Sequence, residues 1–424
     1  MKKTTFSNIR ILALCSILLL IVSCRKESPE LTNPNNRYCR TYAEQFQAVW
    51  EGMDQSYMYW AEDSVDWDAR YEEYRPIFAE FDTRDRNHPV TEVEYQTAWT
   101  GLFAGLRDHH LTGYFWSPDQ KLLARVSPGT NDYNHAYVCQ QQIAILKRRN
   151  DVSRFLSYEG SDAPHSWFCL IDGKNEGKYI AYLRFSSFNY AGQYYYDEAM
   201  APFRAFFGYS SSDGMGENGW ATNDKTEGII IDVRENGGGS LTDLTTYMAS
   251  LIQNPVQLGY TRVKEGMGRL DYSAWSPFVV SPTSRHIMKD IPIVVLADIH
   301  SASCAELTTL LIKSLPNGTF IGERTYGATG ALWSNSSIMH DIFYNGCFGD
   351  EELWEIVNNG SRPTNKRNFA YYVYTSTFNM VDNEYQPIEG YGITPDIEVH
   401  HNERQLLDGT DLQLLRAIKY LRAQ

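Results

Sequence analysis

The sequence predicts an α/β fold, a mainly parallel sheet covered by helices and preceded by a small helical domain, and three patterns carry that expectation. Residues 228–233 (Gly-Ile-Ile-Ile-Asp-Val) are an apolar run of strand length that leads through a Gly-rich turn into a helix-like stretch at 241–252. Residues 291–297 repeat the arrangement, with a helix-like stretch at 304–315 and a further apolar run at 319–321. Strand, turn and helix in series bury both faces of their strands, as parallel sheets do. Ahead of them, between residues 38 and 106, Phe46, Val49, Trp50 and Met53 recur at three- and four-residue steps, as do Tyr71, Tyr74 and Phe78.

Taken in chain order, the first element is not part of the fold. Lys2, Lys3 and Arg10 precede the apolar run 11–22, which is shorter than the ~20 residues a spanning helix needs, so residues 1–23 read as a signal peptide. The run ends in Ile21-Val22-Ser23-Cys24, which resembles the lipobox of bacterial lipoproteins, where the Cys is acylated and becomes the new N-terminus. An ordinary secretory signal with an incidental Cys is the alternative. Residues 24–37, with Pro29, Pro34 and three Asn, read as a flexible tether leading from a lipidated Cys24.

The helical domain is expected over 38–115, with a turn-rich break at 82–89 and a new helix start where Thr91 stands three residues before Glu94. Its last helix runs towards Asp108, His109 and His110. In 116–178, strand-like runs at 137–139, 143–146 and 167–171 alternate with polar turns, so this stretch reads as mixed strand and loop. The principal domain, 179–424, opens with a strand at 179–185, a helix at 198–207 and a Gly/Ser/Asp-rich loop at 208–226.

Composition narrows the function. The 424-residue chain has a formal charge of −14, and loss of residues 1–23 with their three cations takes it to −17, which argues against a nucleic-acid partner. Hydrophobic residues at 43% and aromatic ones at 14% fit a folded globular protein. Five Cys lie beyond the signal region: Cys39, Cys139, Cys169, Cys304 and Cys347. With no C-x-x-C pair and no His-Glu-x-x-His, no metal site and no cofactor is expected. An odd count leaves at least one thiol free within the chain.

Two strand-to-helix turns could carry chemistry. In Arg234-Glu235-Asn236-Gly237-Gly238-Gly239-Ser240, consecutive Gly residues let backbone N–H groups face outward ahead of a helix N-terminus, which suits a developing anion. The turn lacks the spacing of a dinucleotide fold or a P-loop, which leaves an oxyanion hole or simply a tight turn. In His300-Ser301-Ala302-Ser303-Cys304-Ala305-Glu306, a Ser at the junction would expose its hydroxyl on a sharp turn, as an acyl-transfer nucleophile requires, or would cap the helix.

Five blocks together resemble one family. Tyr179-Ile-Ala-Tyr-Leu-Arg-Phe, Gly228-Ile-Ile-Ile-Asp-Val-Arg-Glu-Asn-Gly-Gly-Gly, Val295-Leu-Ala-Asp-Ile-His-Ser-Ala-Ser-Cys-Ala-Glu, Ile321-Gly-Glu-Arg-Thr-Tyr-Gly and Glu389-Gly-Tyr-Gly-Ile-Thr-Pro-Asp-Ile-Glu-Val are similar, in content and order, to the tail-specific (C-terminal processing) serine peptidases. The resemblance covers roughly residues 40–424. It implies a catalytic core of the crotonase and Clp-protease type.

In one version of that family a Lys follows the Gly of Gly-Glu-x-Thr-x-Gly and is the base; here that position is Ala328. The chain is closer to the version resembling the tricorn core, in which a His and a Glu serve the Ser. The resemblance therefore implies Ser303 as nucleophile, His110 of Asp108-His109-His110 as base, and Glu389 as its support. His109 is the alternative base. Cys304 is either a rival nucleophile or, with Gly237 and Gly238, a backbone donor of the oxyanion hole. No complete PDZ module is evident in 120–178.

The expected function is an envelope-anchored serine endopeptidase that hydrolyses peptides or unfolded protein segments through an acyl-enzyme. It would be held to a membrane by its N-terminal lipid, in the periplasm or at the surface. A degenerate peptide- or glycan-binding lipoprotein of the same fold is the alternative, and an esterase a third reading.

Overall fold

The computed structural model describes residues 38–118, 123–128, 135–161, 163–190, 197–210, 214–215, 219–266, 268–283, 290–330, 347–349 and 369–424. Cys24, the signal segment and the tether lie outside the described residues.

Three helices open the fold, each started by a side chain that accepts one of the unpaired N–H groups of its first turn. Thr41 caps Tyr42–Ser56, Asp66 caps Trp67–Phe81, and Thr91 with Glu94 forms the expected capping box of Glu92–Phe103. Their apolar faces meet through aromatic rings, among them Phe46 stacked on Phe78 and Trp99 on Phe115.

Phe115 belongs to a strand, because the N-terminal unit is not helical throughout. Thr112–Trp116 pairs antiparallel with Leu123–Val126 on one side and with Tyr371–Tyr374 on the other, and Cys347–Gly349 completes a four-stranded sheet. Buried Gln45 ties helix to sheet, donating to the carbonyls of Trp116 and Ala370 while accepting from Tyr95. Strands some 250 residues apart in sequence thus share one core with the helices.

The second unit is built on a seven-stranded sheet in the order Ile397–Glu398, Gly318–Gly322, Ile293–Ala297, Thr226–Asp232, Tyr179–Phe185, Ser166–Asp172, Val152–Tyr158. The first five strands are mutually parallel and the last two antiparallel. Successive side chains of a strand alternate between faces. Ile229, Ile231, Val295 and Ala297 enter one core with the helix Cys304–Lys313, whereas Ile230, Val294 and Leu296 meet the C-terminal helix Leu412–Leu421 on the other face. This is the expected parallel α/β layering.

Several expectations need correction. The principal sheet begins at Val152 rather than at 179, since Val152–Tyr158 and Ser166–Asp172 form its antiparallel edge. The strand-like runs at 137–139 and 143–146 belong to one helix, His135–Arg148. Its Ile145 packs against Leu406 and its Leu146 against the sheet, and short apolar runs do not distinguish such a segment from strands. The helix expected over 241–252 is α-helical only at Leu241–Thr246 and tightens to a 3-10 turn at Met248–Leu251.

A third, antiparallel sheet of Ser276–Val280, Val256–Val263 and Phe378–Val381 lies before the segment that carries Glu389. Among the described residues, Cys139, Cys169 and Cys304 are free thiols. No helix of the described residues is long and apolar enough to cross a membrane.

Candidate active site

Parallel neighbours end on the same side of a sheet, and the turns that follow three of these strands meet there, where α/β sheets hold their ligands. Thr226–Asp232 leads to the Gly turn, Ile293–Ala297 to the Ser turn, and Gly318–Gly322 to residues 325–330.

Ser303 stands at the N-terminus of Cys304–Lys313 with φ 55° and ψ −122°, a conformation that L-residues avoid and that costs of order 1–3 kcal/mol. Surrounding bonds hold it there. Its N–H lies within bonding distance of the Ala328 carbonyl (2.9 Å) and of Glu306 Oε2 (3.1 Å). Glu306, fully buried, also accepts from Ala328 N–H, Gly327 N–H and the Thr325 hydroxyl at 2.6–2.8 Å. Burial pushes its carboxyl up to about 7, against the pull of those donors. Glu306 thus clamps the nucleophile turn to the loop 325–328. The sequence signal for this clamp was the Ser-x-x-Glu spacing.

Gly238 explains why the Gly turn must be Gly. At φ 93°, a Cβ on it would fall 2.5 Å from Ser303 Cβ and 2.9 Å from Cys304 N. Its N–H is given to Asn236 Oδ1 at 2.9 Å, and the Asn236 amide is fixed by the Phe185 carbonyl. Gly238 is therefore corrected as an oxyanion donor: it contributes room beside the nucleophile, not its N–H. Gly237 is exposed with open space around it, and Cys304 N heads the helix. The Cys304 thiol is buried against the Gly239 carbonyl, and burial pushes it up to about 12, so it stays protonated and is a poor nucleophile at neutral pH.

On the other side of residues 325–330 lies the acid and His cluster. One side-chain ligand atom each of Asp108, His110 and Glu389 lies within 4.8 Å of the others. Asp108 accepts four bonds, from the Thr375 hydroxyl, the Ser376 hydroxyl and N–H, and His110 N–H, at 2.6–2.9 Å. Glu389 accepts from His109 N–H at Oε1 and from Thr329 and Gly330 N–H at Oε2. Burial, and then the Asp108 charge, push its carboxyl well above the usual range. His110 Nδ1 is buried and has no partner among the described residues. Burial, opposed by Asp108, lowers this imidazole to about 4, so it is neutral at physiological pH.

Residues 328–330 connect the two halves: Ala328 touches Ser303, while Thr329 and Gly330 hold Glu389. Ser303 and Glu389 are thus tied to one short segment, and His110 clusters with Glu389. Ala328, at the position of the dyad Lys, is a buried methyl. His109 braces the same loop, with Nδ1 3.1 Å from the Tyr326 carbonyl. Neither Thr375 nor Ser376 was legible as a site residue, because their link to Asp108 spans some 267 positions and has no local pattern. As a metal centre the cluster fits poorly, since the lone pairs of Asp108 are already occupied by four donors.

Comparison with known proteins follows this geometry. A family profile described as Peptidase family S41 matches residues 179–399. A crystal structure of a candidate peptidase from Parabacteroides merdae ATCC 43184 superposes with a TM-score of 0.61 at 22% identity, covering 90% of this chain and 97% of that one. Mature CPAF in complex with lactacystin superposes with a TM-score of 0.55 at 12% identity, over 91% and 98%. At such identities the likeness is one of fold. The nisin-resistance protein of Lactococcus lactis subsp. lactis is 30% identical over 111 residues, so the match spans 24% of this chain and about a third (34%) of that curated relative.

Proposed function

The chain belongs to peptidase family S41, and from that premise we propose that it is a serine endopeptidase that cleaves peptides or unfolded segments through an acyl-enzyme. The observation that carries this reading is Ser303, strained at a helix N-terminus and tied by residues 328–330 to the His110 and Glu389 cluster. A protein that only binds peptides has no use for such strain.

Neutral His110 takes the Ser303 proton as the oxygen attacks the scissile carbonyl carbon. The oxyanion is received by the N–H groups of Cys304 and Gly237. Glu389, which has a carboxylate oxygen within 4.8 Å of a His110 ring nitrogen, steadies the imidazolium that forms. His110 then returns the proton to the leaving amine, and water reverses the sequence on the ester.

Labelling of residues 25–424 by a fluorophosphonate is expected for the unaltered protein and not for Ser303→Ala. Equal labelling of both, or none of either, would move the reading to the binding protein. Labelled protein that cleaved esters but no peptide would make it an esterase.

The envelope location is a separate proposal resting on Ile21-Val22-Ser23-Cys24. A Cys24→Ser chain should lose lipid-dependent partition into detergent or membranes. Unchanged partition would refute the anchor.

A further inference from the structure

We propose that Asp108 is a positioning residue for His110, acting from behind the base by fixing its backbone and by setting a buried negative charge beside its ring. The inference rests on the reading of His110 as the base and adds a fourth member to that site.

The hydrogen-bond inventory separates the roles of the two acids. Each carboxylate oxygen has two lone-pair directions, and those of Asp108 are all filled by groups that donate to it. Filled in this way, Asp108 has nothing left with which to bond the His110 ring. Among the described residues Glu389 accepts three bonds, one at Oε1 and two at Oε2. Contact with the imidazole therefore falls to Glu389, and place and charge fall to Asp108.

Place comes from three directions. His110 N–H is bound to Asp108 Oδ1 at 2.9 Å, and Leu111 N–H to the Asp108 carbonyl at 3.2 Å, which closes the turn that aims the ring. Thr375 and Ser376, at the end of the strand Tyr371–Tyr374, pin the carboxylate. Asp108 N–H is bound to the Tyr57 hydroxyl from the first helix's end. The base is thereby located by contacts from the N-terminal helices and the late strand at once.

Charge matters because the ring must become imidazolium in a site that burial makes unfavourable to it. Among the described residues, the titratable groups beside His110 or Asp108 are His109, Glu389, Tyr57 and Tyr59. Both tyrosines are raised well above their usual range, chiefly by burial, and stay neutral. Glu389 is also raised. Asp108 is the group in this set whose charge opposes the cost of burial at the His110 ring.

The test is a titration of the imidazole, which needs no turnover and so stands apart from the peptidase reading. In full-length chain carrying isotope-labelled His and Ser303→Ala, the His110 signal is assigned by its loss in His110→Ala. Asp108→Asn is expected to keep His110 neutral to a pH lower by at least about one, the usual size of a neighbouring-charge effect. Thr375→Val, which removes one donor and leaves the charge, should move it little. An unchanged His110 titration in Asp108→Asn would overturn the proposal.

If Asp108→Asn does not fold, the Thr375→Val, Ser376→Ala pair carries the test through position instead. With Ser303 restored, kcat should fall about tenfold at unchanged KM, as expected when a catalytic group loses its placement. An unchanged kcat would overturn the proposal. Failure of the wild-type chain to label with fluorophosphonate, by contrast, would count against the peptidase reading and leave the titration result standing.

Discussion

His110→Ala is expected to lower kcat for peptide hydrolysis on the order of 10⁴–10⁶-fold, the loss seen when the base of an acyl-transfer triad is removed. The reasons are local. Without the imidazole the described residues around Ser303 offer poor replacements: Ala328 stands where a Lys would be, the Cys304 thiol is buried and protonated, and Glu306 is filled by donors. His109, whose Nδ1 lies 3.1 Å from the Tyr326 carbonyl, is the alternative base that a residual rate in His110→Ala would reveal.

The pH profile of the unaltered enzyme gives the same assignment a second reading. Burial lowers His110 to about 4, and the neutral form is the active one. Activity should therefore be present above that value and lost as the pH falls through it. The acid limb lies below the ordinary His value of ~6.5. Steady-state rates on a quenched peptide, with circular dichroism to verify the fold, measure both. Full activity in His110→Ala would reject the triad.

Arg234→Met is the second large effect, on stability: unfolding free energy should fall by about 3–5 kcal/mol. Arg234 is buried, bonds Asp232 through Nε and Nη2, and bonds Asp411 and Gln413 through Nη1. Its removal leaves Asp411, the N-cap of the last helix, without this ion pair, and leaves Asp232 with Arg184, the Tyr182 hydroxyl and the backbone N–H of residue 234 among the described residues. A denaturant midpoint unchanged by Arg234→Met would contradict the account.

The sign with pH follows from Asp232. Burial alone would raise its carboxyl, but Arg184 and Arg234 overcome that and hold it at about 2. A carboxyl depressed below its unfolded value of ~3.9 contributes stability that is present above that pH. The contribution is lost as the pH falls towards about 2. In Arg234→Met the acid-dependent part of the stability should shrink.

What the sequence determined by itself is what local chemistry encodes. The apolar stretches 228–231, within the strand Thr226–Asp232, and Ile293–Ala297 reveal buried strands because both their faces are covered there. Ser303 and the Gly turn are legible for a related reason. A strand-to-helix turn that exposes a hydroxyl at positive φ, with a neighbour pressed against it, restricts which residues fit at each step, and Gly238 is the clearest case.

Tertiary structure decided the rest, wherever an interaction joins distant positions or competes for a group already used. Nothing in the local sequence marks the Gly238 N–H as engaged, but the folded turn gives it to Asn236 Oδ1. The boundary of the N-terminal unit could not be read from the helices, because the strand that completes it, Tyr371–Tyr374, lies near the other end of the chain and pairs through backbone groups that every sequence carries. Asp108 is the extreme of this limit. Its residue type is plain in the sequence, but its effect on His110 depends on Tyr57, Thr375 and Ser376, and hydrogen bonds across such separations are set by the closure of the whole fold.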